Sequence, residues 1–153
     1  MAIALEATSS TFTPAGTTSI SVNITITAAT DMVVAYVANA AAAQPASVTF
    51  NGSAMTTSIQ GGGNYRIGLY HLLDAALPGA GTYAIEAQFA VAPTEAAIGA
   101  VALSGAKQAA PELTDSTFRN TPSSGTPLFV TMTALTAGAW AVNAAIIGGS
   151  TAT

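Results

Sequence analysis

The chain holds a single histidine, His71, with Asp74 three residues further on, so any Ser-His-Asp chemistry in it has to be built around that pair. Such chemistry also needs a serine on a sharp turn within hydrogen-bond reach of the imidazole. No G-x-S-x-G string is present, and the nearest, Gly148–Ala152, lacks its last glycine. His71 falls near a strand end and reads as a sheet-margin residue, hydrogen-bonded or solvated. No catalytic residue is assigned.

The other groups capable of chemistry fare the same way. One His, no Cys and seven scattered carboxylates make no zinc site. Glu112 and Asp115 share a polar connection and would suit a hard cation together with backbone carbonyls, but the D-x-D-x-D-G pattern is absent, and they read as solvated loop acids. Glu86 and Glu95 are the pair of acids nearest each other on neighbouring strands. Glycoside hydrolysis needs two acids facing each other over a cleft, and Glu86 reads as a surface charge. Gly79–Ala84 matches G-x-G-x-x-A, yet a period-two strand follows it and not a helix whose N-terminus would hold a pyrophosphate. No G-K-[ST] exists. The sequons at Asn23 and Asn51 read as chance in a Ser/Thr-rich chain. Tyr65 and Tyr70 would each stack on a sugar, but their opposite strand phases keep them off one platform. No metal site and no cofactor site are assigned.

These residues must be positioned by a chain of 153 residues, the size of one domain with one core. Half of its residues are hydrophobic, but only 7% are charged, against about 25% in a typical soluble protein. Short neutral groups (Ser, Thr, Asn, Gln, Ala, Gly) replace the charges, and they provide little repulsion between molecules, so self-association is expected. A net charge of −4 with three basic residues, Arg66, Lys107 and Arg119, gives no stripe for phosphates and argues against nucleic acid. The absence of Cys leaves stability to packing. The first ten residues lack a basic n-region and an apolar h-region, so no secretory signal is read there. The charge-free stretches Met32–Asn64 and Asn120–Thr153 are broken by polar and turn residues before a membrane span accumulates.

Period two dominates the chain. Ile20, Val22, Ile24 and Ile26 share one face and Ser19, Ser21, Asn23 and Thr25 the other. A short first strand is predicted at Ile3–Leu5 and a buried central strand at Met32–Ala38, whose continuous apolar run suits cover on both faces. Val48–Phe50 leads into Asn51-Gly52, which predicts a type I′ hairpin. Gln60–Gly63 reads as a flexible link. Strands follow at Tyr65–Leu73 and over Tyr83–Val91, where Tyr83, Ile85, Ala87, Phe89 and Val91 point inward. Further strands are expected at Ala96–Leu103, Pro127–Leu135 and Gly138–Ile147, with a long polar connection over Ser104–Pro127. About nine strands separated by turns predict one all-β domain, residues 1–153, an antiparallel β-sandwich.

Four stretches in order, a V-T-[YF]-x-G-x-x-[ML]-T hairpin at Val48–Thr56, an aromatic with leucines at Leu69–Leu73, a Pro-Gly-Thr turn at Pro78–Thr82 and S-G-A-x-Q-x-x-P at Ser104–Pro111, resemble a family of jelly-roll β-sandwich domains of tailed-phage virion proteins and bacterial surface proteins. The match covers most of the chain and rests on structural residues. It implies a phage virion structural protein, a capsid decoration or surface appendage subunit, located in the virion and not an enzyme. Its partners would be copies of itself and other virion proteins such as the major capsid protein, with no nucleic acid and no membrane. Ile20, Val22, Ile24, Ile26, Phe89 and Trp140 would pack the core, and the loops Gly61–Asn64 and Lys107–Gly125 would make lattice contacts. Members of the family usually add strands beyond one like Gly138–Ile147, which leaves two expectations: a compact variant, or a last edge completed by a neighbour's strand. A carbohydrate-binding or adhesive module of a bacterial surface protein is the alternative.

Overall fold

The computed structural model describes residues 2–13, 16–40, 43–112, 114–115 and 136–144. Among these residues nine strands form two antiparallel sheets. They are β1 (Ala4–Thr13), β2 (Ser19–Ile26), β3 (Thr30–Ala40), β4 (Ser47–Phe50), β5 (Ser53–Ala54), β6 (Thr56–Gly62), β7 (Tyr65–Leu73), β8 (Gly81–Gln88) and β9 (Glu95–Ser104). Sheet I runs β1-β9-β3-β7-β6 and sheet II runs β2-β8-β4-β5. The chain crosses between sheets at most connections, and the two orders are those of a jelly roll, with β6 added as a fifth strand at the edge of sheet I. The expected antiparallel β-sandwich is what the chain forms.

The alternation in β2 sets the interior. Ile20, Val22, Ile24 and Ile26 are buried against sheet I while Ser19, Ser21, Asn23 and Thr25 face solvent. Full burial of each such side chain is worth about 1.5–3 kcal/mol. Opposite them, Val33, Ala35 and Val37 of β3 meet Ile98, Ala100 and Ala102 of β9 in register, and all six are buried. Strand β3 lies between β9 and β7, the central position expected of its unbroken apolar run. Its other face carries Met32, Val34 and Tyr36. The Tyr36 ring covers Gly99, where an added Cβ would collide with it.

The turn after β4 is the one its sequence predicts. Asn51 has φ 48° and Gly52 φ 80°, both positive as a type I′ hairpin requires. After β5 the chain turns the corner of the sandwich at Met55, which is buried and donates its N–H to the Val48 carbonyl at 2.9 Å. It then enters sheet I as β6. Gln60–Gly62, expected as a flexible link and in part as a lattice-contact loop, is the end of this strand, paired with Gly68, Ile67 and Arg66 of β7, and only Gly63–Asn64 form the turn. Glycines here permit a half-buried strand and do not loosen the chain.

Two other expectations are corrected. Strand β8 ends at Gln88; Phe89 is still buried and donates its N–H to Thr18, but Val91 is 77% exposed, because the chain turns away before the inward phase returns. Gly138–Ile147 is no strand over its described part. Gly138 has φ 85°, the Ala139 N–H closes a turn onto Thr136, and residues 140–144 are irregular. Trp140 is 50% exposed and is not a core residue. The expected strand Pro127–Leu135 lies outside the described residues, as do residues 145–147 and the connection from 116 onward.

Phe50, fully buried and tilted against Tyr83 at 5.7 Å between ring centroids, anchors sheet II. Phe50→Ala is expected to cost about 3–5 kcal/mol, and Trp140→Ala about 1 kcal/mol or less. Urea unfolding with an unchanged slope checks both; comparable losses would contradict the burial described.

Candidate functional site

The predicted chemistry-bearing residues do not converge. His71 lies on the outer face of sheet I, and its hydrogen-bond partner is Ser58, not Asp74, with Ser58 Oγ 2.7 Å from His71 Nδ1. Asp74 opens a single 3-10 turn and is exposed; its N–H donates to Gln108 Oε1. Glu112 accepts hydrogen bonds from the Thr136 N–H at 3.0 Å and the Thr136 hydroxyl at 2.7 Å, so it ties two parts of the C-terminal segment together. Glu86 on β8 and Glu95 on β9 belong to different sheets, and Glu86 accepts from its own neighbour Gln88. Gly81–Ala84 runs into β8, with the Tyr83 hydroxyl donating to the Gly79 carbonyl. Tyr65 is partly exposed while Tyr70 is buried on the opposite face of β7, where Gln60 Nε2 donates to its hydroxyl. No group of three or more His, Cys, Asp or Glu among the described residues is placed to hold a metal ion. No helix among them is long and apolar enough to cross a membrane.

What the structure does bring together is a cleft of about 200 Å³ between the outer face of sheet I and the C-terminal segment. Met32 and Val34 of β3, Leu69 and His71 of β7, and Leu103 of β9 form its floor, and Trp140 stands in the facing wall. Sequence reasoning missed the Ser58–His71 pair for a geometric reason. A bulge in β6 between Thr57 and Ile59 shifts the register beside His71; bulges re-aim side chains in this way, and sequence carries no sign of this one. Lys107 and Glu112 lie at the same cleft with opposite charges. Of the other basic residues, Arg66 is committed to the Gly62 carbonyl at 2.8 Å, and Arg119 lies outside the described residues.

The second feature is the flank formed by β1 and β2. Among the described residues each is the terminal strand of its sheet, and they pack beside one another, linked by the Thr27 hydroxyl donating to Glu6. The opposite flank is closed by the chain itself, which passes from β5 to β6 through Met55. No protein-family model, curated protein or solved structure matches this chain.

Burial pushes the His71 imidazole below its ordinary value of 6.5. Above that value the imidazole is neutral in both states, and no stability is lost. As pH falls through it the unfolded chain takes up a proton before the folded one does, so stability declines until the folded-state value is passed. Glu112 is held below its ordinary 4.5 by the Thr136 hydrogen bonds; its contribution is present above that value and is lost as pH falls through the depressed one, a separate window. The melting temperature is expected to fall between about pH 7 and about pH 5.5 in the native sequence and to fall less in His71→Gln. Equal slopes in the two proteins would show that His71 is not buried neutral.

Proposed function

We propose that the chain is a structural subunit of a phage virion, a capsid decoration or surface appendage protein. It acts without catalysis, by packing and strand pairing with copies of itself and with neighbouring virion proteins such as the major capsid protein. The observation that carries this reading is the β1/β2 flank. Proteins that stay apart protect their edge strands with Lys, Pro, inward charges or bulges. The ten residues of β1 and the eight of β2 contain no Lys, Arg or Pro, and their one charge, Glu6, sits at the bulge between Leu5 and Ala7. From Ala7 onward the edge is neutral. Antiparallel pairing of β1 with a second β1 about Ser10 sets Thr8 against Phe12, which is 59% exposed, and leaves no carboxylate facing another.

The low charge of the whole chain supports the same reading, since three basic and seven acidic residues oppose close packing of copies only weakly. Jelly rolls build viral capsids and lectins alike, so topology by itself favours neither. The alternative, a carbohydrate-binding or adhesive module, draws support from the exposed rings of Tyr65 and Trp140.

The native chain is expected to sediment as an oligomer, and the double variant Thr8→Lys/Ser10→Lys, placed on the exposed face of the edge strand, to shift toward monomer while keeping its β-sheet circular dichroism, with its melting temperature lowered only by the association it loses. A native chain that stays monomeric at high concentration argues against the assembly reading. Purified virions that lack the chain by mass spectrometry would overturn the virion assignment, and saturable binding on a glycan array would favour the alternative.

A further inference from the structure

The floor of the cleft over sheet I is apolar except at His71 and its partner Ser58, and Lys107, Glu112 and Thr114 line it elsewhere. His71 is 5% exposed; Nδ1 is taken by Ser58 Oγ, and among the described residues nothing pairs with Nε2. A polar atom in such surroundings favours an occupant that can hydrogen-bond to it. The surrounding side chains Met32, Val34, Leu69, Leu103 and Trp140 favour an occupant that is otherwise apolar. Size narrows the choice: an engineered apolar cavity of roughly 150 Å³ admits benzene, and this cleft is about 200 Å³.

We propose that the cleft is a binding site for a compact apolar molecule bearing one hydroxyl, of the size of phenol, with the hydroxyl on His71 Nε2 and the ring between Val34, Leu69 and Trp140. A hydroxyl serves either tautomer of the imidazole. If Nδ1–H donates to Ser58, Nε2 accepts from the ligand O–H; if the Ser58 hydroxyl donates to Nδ1, the Nε2–H donates to the ligand oxygen. A carboxylate or ammonium in this place would be a charge taken out of water beside a neutral ring, and Lys107 and Glu112 offer opposite signs, so neither ion is selected. A hydrocarbon of equal size would leave Nε2 unpaired. The site is independent of the β1/β2 flank and of the assembly reading.

The chain reports on this site itself, because it has one histidine and one tryptophan and both line the cleft. NMR titration of the full chain with phenol is expected to shift the His71 imidazole and Trp140 indole resonances saturably. Binding should be roughly three- to tenfold tighter than that of toluene, the isostere without the hydroxyl. In His71→Phe the preference for phenol is expected to vanish while toluene still binds. The two-ligand comparison on the native chain needs no variant to fold. Equal affinities for phenol and toluene, or shifts that never saturate, would overturn the proposal.

Discussion

Strand β3 is apolar on both faces, and covering both is the constraint on which the rest of this structure depends. Its inner face, Val33, Ala35 and Val37, is met by sheet II. Its outer face carries Met32, Val34 and Tyr36, and leaving such surface in water would forgo about 25 cal/mol for each Å². Two devices cover it. Tyr36 lies down on Gly99 of the neighbouring strand, and the C-terminal segment folds over Met32 and Val34, bringing Trp140 to the opposite wall. That cover buries His71 and creates the cleft. The same sheet that closes the core therefore also floors an apolar chamber with a single buried imidazole, and it does so on the side away from sheet II.

The parts of this arrangement that were legible in the sequence are those in which one residue's neighbours in the chain decide its place. The alternation in β2, the inward Ile85, Ala87 and Phe89 at β8, and Asn51-Gly52 each carry their structure locally. Other features depend on partners far along the chain. Gly61 and Gly62 look like a link until β7 pairs with them. Trp140 looks like a core residue until Gly138 turns the chain and sets it over the sheet face. Val91 continues the phase of β8 on paper, but the strand has ended. The Ser58–His71 contact spans 13 residues and a bulge, so nothing in the spacing of the two residues announces it.

The neutral surface acts in the same direction as the outer edges of β1 and β2, which no other described strand pairs with. On the solvent face of sheet II the cross-strand pairs are uncharged where the Thr25 and Thr82 hydroxyls meet at 2.8 Å. Hydroxyl and amide groups cost far less to take out of water than ammonium or carboxylate groups, provided they find hydrogen-bond partners. A face of Ser19, Ser21, Asn23 and Thr25 therefore offers a neighbour uncharged groups that can exchange water for protein hydrogen bonds, with Glu86, opposite Ser21, the charge beside it. A monomer built for isolation would gain nothing from such a face, since it forgoes the repulsion that keeps charged proteins apart. With three basic and seven acidic residues, copies of the chain repel one another only weakly at close approach.

The edge of β1 and the cleft involve different stretches of the N-terminal chain. Pairing of two β1 strands about Ser10 engages residues from Ala7 onward, while the cleft meets the chain at Ile3, ahead of the bulge. Three residues, Ala4, Leu5 and Glu6, lie between the two, so four strand rises separate Ile3 from Ala7, about 14 Å. The bulge at Leu5 and Ala7 lies between them: it shifts the register with β9, and Glu6, set there, accepts from Thr27, so the neutral stretch of the edge starts beyond it.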